Sequence, residues 1–189
     1  FTSMVSEFSL TGPGGGGAFL AYPNGKEPIL FDFFVDTPPP QPNKDLDFFS
    51  ILIDYGSEKQ EFHMGLGSIA VPGNTAGLLT VHKRLGKLPL RTVLEPAIET
   101  ARKGVILNES HGYIIQMLAP ILTHTSAGKK LFTSEGEILK EGDNFQNPSF
   151  ADFLEELILY GPDYFYKGLG AKLILETIGT KGLLTSACL

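Results

Sequence analysis

The stretch that decides the fold is residues 11–34, "TGPGGGGAFLAYPNGKEPILFDFF". Two apolar, aromatic-rich runs at 18–22 and 28–34 flank Asn24-Gly25, a dipeptide that is typical of a type I′ turn between paired strands. Both runs are nearly continuous in apolar residues instead of alternating, which favours strands buried on both faces. The stretch therefore predicts a β-hairpin that is mostly buried in a central sheet.

A run of glycines enters this hairpin. Gly12, Gly14 and Gly17 match the pattern G-x-G-x-x-G, but a dinucleotide site needs a helix after the loop, because the helix N-terminus holds the pyrophosphate. Here a strand follows, and the Gly-Lys-Ser/Thr of a phosphate-binding P-loop is absent. Two interpretations remain: close packing of the loop backbone, or an approach surface for a substrate or for another chain segment.

The pattern outside the hairpin changes from strands to helices near residue 73. Residues 48–54 are predicted to form a strand and residues 60–71 one or two short strands. After them, helix-start signals at Asn74, Pro89, Asn108 and Asn147-Pro148 introduce segments with helical apolar spacing, and a last helix is predicted at 169–179. Gly86, Gly104 and Gly161 are predicted to end three of the helices, and a small hairpin is expected within 133–145. The sequence predicts an α+β protein with a β-rich part at 1–73 and a helical part at 74–189.

Composition and charge restrict the function classes. The 189 residues are 42% hydrophobic and carry a net charge of -6, as in an ordinary globular protein. The 15 Lys and Arg residues form no basic run, which argues against a nucleic-acid surface, and Lys129-Lys130 is predicted to lie at a solvated helix end. No apolar stretch reaches about 18 residues, so no membrane span is expected. The single cysteine, Cys188, excludes an intrachain disulfide.

The titratable residues form no recognisable catalytic or metal motif. Four histidines lack metal-ligand spacing, and structural or exposed roles are favoured for all of them: His63, His82, His111 and His124. Four aspartates lack the spacing of a calcium loop, and a solvated loop is favoured over a cation site: Asp32, Asp36, Asp45 and Asp47. A G-x-S-x-G nucleophile elbow is absent as well. The sequence therefore predicts no metal and no cofactor, and these residues alone compose no active site.

Several stretches resemble the large subunit of the γ-glutamyltransferase family, in the same order and with the same spacing. They are "SLTGPGGGGAFLAY", "LFDFFVDTP", "GSIAVPGNTAGL", "HKRLGKLPLRTVLEPAIETARKG", "FADFLEELILYGPDYFYKGLGAKLI" and "KGLLTSACL". The resemblance implies an N-terminal nucleophile hydrolase fold with αββα layers and a precursor that cuts itself into a large and a small chain. It also implies that the nucleophile is the N-terminal Thr of the small chain, whose own α-amine, with a pKa near ~8, can act as the base.

The resemblance implies that the catalytic residues lie in a different chain from this one. This chain corresponds to a portion of the large subunit, so the nucleophile lies outside it, no catalytic residue is assigned within it, and the chain alone is expected to be inactive. The implied partners are the small catalytic subunit from the same precursor, a small-molecule amide donor such as a γ-glutamyl amide, and an amino-acid or water acceptor. The alternative is that the chain is a non-catalytic scaffold fragment. The sequence leaves both a periplasmic and a cytoplasmic location open.

The chain departs from the family pattern at a position that the resemblance assigns to donor binding. The family sequence "DFRE" contains an arginine that binds the donor's α-carboxylate. This chain has Phe34 at the arginine position and Val35 at the position of the neighbouring acidic residue. A guanidinium binds a carboxylate through a bidentate fork, and a phenyl ring has no such donors. Phe34 and Val35 are therefore the candidate substrate-binding residues, and an acylase of the same family that acts on a more apolar acyl group is the alternative to a γ-glutamyl enzyme. Phe8, where the family has Pro, and Cys188, where it has an acid, are lesser departures.

Overall fold

The computed structural model describes residues 1–42 and 45–189. The strands are β1 Gly17–Ala21, β2 Ile29–Phe33, β3 Phe49–Asp54, β4 Lys59–Met64, β5 Val105–Ile106, β6 Thr133–Ser134, β7 Glu137–Ile138 and β8 Asn144–Phe145. The helices are α1 Ser3–Ser6, α2 Asn74–Leu85, α3 Leu90–Lys103, α4 Glu109–Leu122, α5 Ser126–Phe132, α6 Pro148–Tyr160, α7 Asp163–Tyr166 and α8 Leu169–Ile178. Within the described residues the strands form antiparallel pairs, β1 with β2, β3 with β4, β5 with β8 and β6 with β7.

The predicted hairpin is present, but its turn differs from the prediction. β1 and β2 pair with Ala18 opposite Asp32 and Leu20 opposite Leu30. In the connection, the Lys26 amide donates to the Pro23 carbonyl over 3.1 Å, and Gly25 has a φ of 69°. Asn24 does not adopt a positive φ, which a type I′ turn requires at both central residues. The type I′ prediction is therefore wrong, because the connection is longer than a two-residue loop.

The predicted burial of this hairpin on both faces is also wrong in the chain as described. One face packs inward: Ala21 and Phe31 are buried, and the Arg84 guanidinium of α2 lies 5.4 Å from the Phe31 ring centre. On the other face Leu20 and Leu30, which oppose each other in the register, are 68% and 65% exposed. The hairpin is also a two-stranded ribbon and does not join a larger sheet among the described residues. Because both strands are nearly continuously apolar, the face of the hairpin that does not pack inward is an apolar surface exposed to solvent.

The second hairpin follows the prediction more closely. β3 begins one residue after the predicted start. It pairs with β4 in a register that sets Phe49 opposite Met64 at one end and Asp54 opposite Lys59 at the other. The strand predicted within 60–71 ends at Met64, and the chain then makes a short 3₁₀ turn at Leu66–Ser68. This turn is held by Asp47, whose Oδ2 accepts a hydrogen bond of 2.9 Å from the Leu66 amide.

The helical part is organised around the contact between α3 and α6. Leu94, Ala97 and Ala101 of α3 and Leu154 and Leu157 of α6 are fully buried. They repeat at helical spacing along both helices, so each helix presents one apolar stripe to the other. This pair forms the main hydrophobic core, which Met4 and Val5 of α1 and Phe165 of α7 complete.

A second, aromatic core explains Phe8, for which the sequence gives no account. The Phe8 ring stacks on Phe145 with ring centres 3.7 Å apart, and it also contacts Phe132 and His111. His111 is buried, and its Nε2 lies 3.7 Å from a carboxylate oxygen of Glu7. An aromatic residue at position 8 therefore anchors the N-terminal segment to α4, α5 and β8, a contact that proline would not make.

The division of the chain at residue 73 stays a prediction. The two longer hairpins precede residue 74, and the helices of more than four residues follow it. None of the described helices has the length and the apolar composition needed to cross a lipid bilayer.

Candidate substrate-binding site

The glycine loop lies against the N-terminus of α2. The backbone amides of Gly73 and Asn74 both donate to the Gly15 carbonyl, over 3.0 and 2.8 Å, and Asn74 Nδ2 donates to the Gly12 carbonyl over 2.8 Å. The first amides of a helix have no partner within it, and here the loop's carbonyl oxygens supply partners. The prediction that the Asn74 side chain caps the helix is therefore wrong, since Asn74 is the first helical residue and its side chain is a donor to the loop.

A tyrosine from a distant helix completes this helix start. The hydroxyl of Tyr166, in α7, donates to the Pro72 carbonyl over 2.8 Å and accepts from the Ala76 amide over 3.2 Å. Thr75, fully buried, places its Oγ1 3.3 Å from the Pro13 carbonyl, to which it donates. Burial raises the pKa of the Tyr166 hydroxyl, and the hydrogen bond from the Ala76 amide acts in the opposite direction.

The glycines allow backbones to approach more closely than any side chain would permit. A Cβ on Gly16 would lie 2.4 Å from the Val35 amide nitrogen, and a Cβ on Gly73 would lie 1.9 Å from the Phe33 carbonyl oxygen. Close packing is thus confirmed as a role of the loop. The helix N-terminus that a phosphate would need is already filled by the loop's own carbonyls, so the nucleotide interpretation finds no support.

Phe34 and Val35 lie beside this loop, immediately after β2. The Phe34 side chain is 72% exposed, and its backbone amide donates to Asp32 Oδ1 over 3.1 Å. Val35 is half-buried, with its amide nitrogen against Gly16. The next residue, Asp36, exchanges two backbone hydrogen bonds with Val71, of 3.3 and 2.8 Å. The two candidate residues therefore stand on a short segment that is fixed at both ends, with the Phe34 ring directed away from the packed interior.

The remaining candidate side chains do not converge on one site. Asp32 and Asp36 accept hydrogen bonds from nearby backbone amides, and Asp45 forms an ion pair with Lys181 that lowers the pKa of the Asp45 carboxyl. The histidine rings lie in separate places: His63 on Phe48, His124 on Phe49, His111 against Phe8, and His82 with its Nε2 2.9 Å from the Leu88 carbonyl. Across residues 1–42 and 45–189, the structure brings together no group of three His, Cys, Asp or Glu side chains suited to a metal ion.

The sequence profile of the family described as "Gamma-glutamyltranspeptidase" matches residues 1–189, the whole chain. The chain belongs to this family. Among curated relatives of this γ-glutamyltranspeptidase-family chain, "Glutathione hydrolase proenzyme" of Pseudomonas aeruginosa is 33% identical over 187 residues, which are 98% of this chain and 32% of that protein. "Glutathione hydrolase 3" of Arabidopsis thaliana is 31% identical over 90% of this chain and 26% of its own length.

A solved structure supports the same assignment. The γ-glutamyltranspeptidase of Pseudomonas nitroreducens, complexed with L-DON, superposes with a TM-score of 0.76 at 29% identity, over 99% of this chain and 53% of that chain. The α+β class and the N-terminal nucleophile hydrolase architecture expected from the sequence are thereby confirmed. The chain spans about a third or less of the curated relatives named above and about half of this solved chain.

Tyr166 and Thr75 were not among the residues singled out from the sequence. Each reaches a partner far away in the chain, at separations of 94 residues for Tyr166 and Pro72 and 62 residues for Thr75 and Pro13. Nothing in their immediate neighbours signals those contacts, because a local pattern carries information on local partners only. Tyr166 lies in the family-like stretch at 150–174, which carries no sign of its distant partners.

Proposed function

We propose that the protein to which this chain belongs transfers or hydrolyses an acyl group held in an amide, as a γ-glutamyltransferase-like enzyme, and that this chain forms part of its large subunit. The match of the family to every residue of the chain carries the proposal. The names of the relatives, glutathione hydrolases, make a γ-glutamyl amide the leading donor class.

The proposed reaction places the nucleophile in the small chain. Its N-terminal Thr hydroxyl attacks the donor's amide carbonyl, the α-amine of the same residue takes the hydroxyl proton, and the C–N bond breaks as that proton passes to the leaving amine. The resulting ester is then attacked by water, giving hydrolysis, or by the amine of an amino acid, giving transfer. In either case the threonine hydroxyl is restored. In the present chain, Phe34 and Val35 are proposed to contribute to donor binding, together with residues that lie outside it.

A second candidate function follows from one observation in this chain. The residue expected to hold a donor carboxylate is Phe34, and its ring is exposed beside the glycine loop with no charged group of its own. A phenyl ring and the neighbouring Val35 present apolar surface, which favours an aliphatic or aromatic acyl group over the charged α-amino-acid end of a γ-glutamyl donor. An acylase for apolar acyl amides is therefore the alternative within the same reaction type.

The small catalytic subunit is the proposed partner of the first hairpin. Leu20, Tyr22 and Leu30 are 68%, 79% and 65% exposed, and both β1 and β2 have one unpaired edge within the described residues. A two-stranded ribbon with an exposed apolar face is only marginally stable in water, and such a face is normally covered by further strands or helices. Strands supplied by the rest of the precursor would cover the apolar face and pair with the free edges of β1 and β2.

The test uses the full-length precursor, expressed and allowed to mature. Amine release is measured from a γ-glutamyl anilide, from an aliphatic acyl anilide and from a phenylacyl anilide, each with and without an amino-acid acceptor. The proposal expects turnover of at least one anilide, and the preferred one separates the two candidates. A matured protein that releases no amine from any of the three would contradict the proposal. Residues 1–189 expressed alone are expected to give no release above a buffer blank.

A further inference from the structure

We infer that Tyr166 is a positioning residue for the donor pocket, acting through the start of α2 and the glycine loop on the segment that carries Phe34 and Val35. The inference rests on the proposed function, because it assigns a role toward the donor that the proposal places at Phe34. Tyr166 itself does not touch that segment in the described contacts. Its effect would travel through a series of short hydrogen bonds and backbone contacts.

The first link is the Tyr166 hydroxyl. It uses both its proton and a lone pair, donating to the Pro72 carbonyl over 2.8 Å and accepting from the Ala76 amide over 3.2 Å. One hydroxyl therefore ties together the residue before Gly73 and the first turn of α2. Pro72 is buried and Tyr166 is half-buried, so water has little access to replace these bonds.

The second link joins that turn to the glycine loop. Gly73, Asn74 and Thr75 together donate four hydrogen bonds, of 2.8 to 3.3 Å, to carbonyl oxygens of Gly12, Pro13 and Gly15. Asn74 and Thr75 are buried, which makes an unpaired polar group there costly. The position of the loop therefore follows the position of the turn.

The third link reaches the candidate substrate-binding residues. Gly16 lies so close to the backbone of residues 33–35 that a Cβ would be 2.4 Å from the Val35 nitrogen, and a Cβ on Gly73 would lie closer still to the Phe33 carbonyl oxygen, at 1.9 Å. Contacts this tight leave little room for relative movement, because packed interiors transmit a displacement instead of absorbing it. A shift of the turn would move the backbone that aims Phe34.

The decisive variant is Tyr166→Phe in the full-length matured protein. It removes the hydroxyl and keeps the ring, including its edge-on contact with Phe165 at 5.0 Å. We expect KM for the preferred donor anilide to rise about three- to tenfold while kcat stays within about twofold, as for a loss of ground-state positioning outside the reacting groups. Tyr164→Phe is the matched control. It keeps the ring contacts of Tyr164 with Phe153 and Tyr160, no hydrogen bond of the Tyr164 hydroxyl is found among the described residues, and the variant is expected to keep the wild-type KM.

A second pair of variants tests the next link and covers a Tyr166→Phe protein that fails to mature. Thr75→Val removes the hydrogen bond to Pro13 at nearly constant volume, and it is expected to raise KM in the same way. Thr75→Ser keeps the hydroxyl and is expected to restore the wild-type KM. Hydrogen exchange of the amides at 73–76, measured in the same proteins, is expected to quicken in Tyr166→Phe and Thr75→Val only.

The outcomes separate the two claims. An active wild type in which Tyr166→Phe and Tyr164→Phe share one KM and one exchange pattern overturns the inference and leaves the proposed function standing. If Tyr166→Phe does not mature, equal KM values for Thr75→Val and Thr75→Ser likewise overturn the inference and leave the proposed function standing. A wild type that releases no amine from any acyl anilide overturns the proposed function, and the inference falls with it.

Discussion

Two glycines of one loop, Gly14 and Gly16, have opposite surroundings. An added Cβ on Gly16 would meet three backbone atoms at 2.4 to 2.8 Å, whereas one on Gly14 would meet nothing within 4 Å. Backbone atoms cannot turn aside as the end of a flexible side chain can. The glycine run is therefore a mixture of positions where the missing side chain matters and positions where it does not.

Gly16→Ala should consequently destabilise the protein while Gly14→Ala should not. We expect Gly16→Ala to lower the free energy of unfolding by about 1–3 kcal/mol, as for an overpacked interior site. Gly14→Ala should change it by about 0.5 kcal/mol or less. Urea unfolding of the two variants beside the wild type measures both, and equal midpoints for the two variants would show that the loop does not pack as described.

The donor preference can be tested at Phe34 and Val35. The double variant Phe34→Arg with Val35→Glu introduces the guanidinium and its neighbouring acid, because an arginine alone would lack a partner when no substrate carboxylate is present. A well-placed charge-assisted hydrogen bond is worth about 1.5–3 kcal/mol, or roughly ten- to a hundredfold in specificity. We expect kcat/KM for a γ-glutamyl anilide to rise by about that factor relative to an apolar acyl anilide.

The comparison requires a variant that is shown to be folded and matured. Phe34 is 72% exposed, so replacing it removes little packing, whereas Val35 is half-buried and Val35→Glu is the change whose effect on folding must be checked. A specificity ratio that does not move toward the γ-glutamyl donor would mean that Phe34 does not face the donor.

At the scale of elements, the pairing of α3 with α6 holds the helical part together. Leu154 and Leu159 lie on the same helix, yet Leu154 is fully buried against α3 and Leu159 is 65% exposed. We expect Leu154→Ala to reduce the free energy of unfolding by about 2–5 kcal/mol through lost burial and a cavity. Leu159→Ala should change it by about 0.5 kcal/mol or less. Thermal or urea unfolding compares them, and similar losses at both sites would contradict the assigned core.

Elements whose signals are local were predictable from the sequence. Asn108 and Asn147 cap α4 and α6 as expected, with Oδ1 accepting from the amides of His111 and Phe150 over 2.9 and 3.1 Å. Lys129-Lys130 lies in the last turn of α5, in agreement with the predicted helix end, but the bounds of this helix are not predictable because it is short and carries no clear apolar period.

Elements whose character depends on distant partners were not predictable. Asn74 reads as a cap, but its partner Gly12 lies 62 residues earlier, and that contact converts the side chain from acceptor to donor. The apolar run of the first hairpin reads as buried on both faces, but burial depends on what covers it. Of the candidate site, the sequence provided Phe34, Val35 and the glycine loop, while the link through Thr75 and Tyr166 exists only in three dimensions.

At the scale of the whole molecule, the open face of the first hairpin should govern assembly with the small chain. Leu20→Glu places a charge at a residue that is 68% exposed here, so the fold of this part should tolerate it. In the full-length protein the same charge would meet an apolar cover, and we expect little matured, associated small chain to co-purify. Leu88→Glu, at a residue with 59% exposure between α2 and α3, is the control and should assemble normally. Equal recovery of the small chain from both variants would contradict the proposed interface.

The start of α2 also has a consequence for the order of folding. Its amides find partners in a loop that precedes it by about sixty residues and in a tyrosine that follows it by 90 residues. Bringing such distant segments together costs chain entropy before any contact is gained, whereas hairpins and helices form from local contacts. We therefore expect this closure to come late in folding, on the native side of the rate-limiting step. Variants that break it, Tyr166→Phe among them, should then speed unfolding while leaving the refolding rate nearly unchanged.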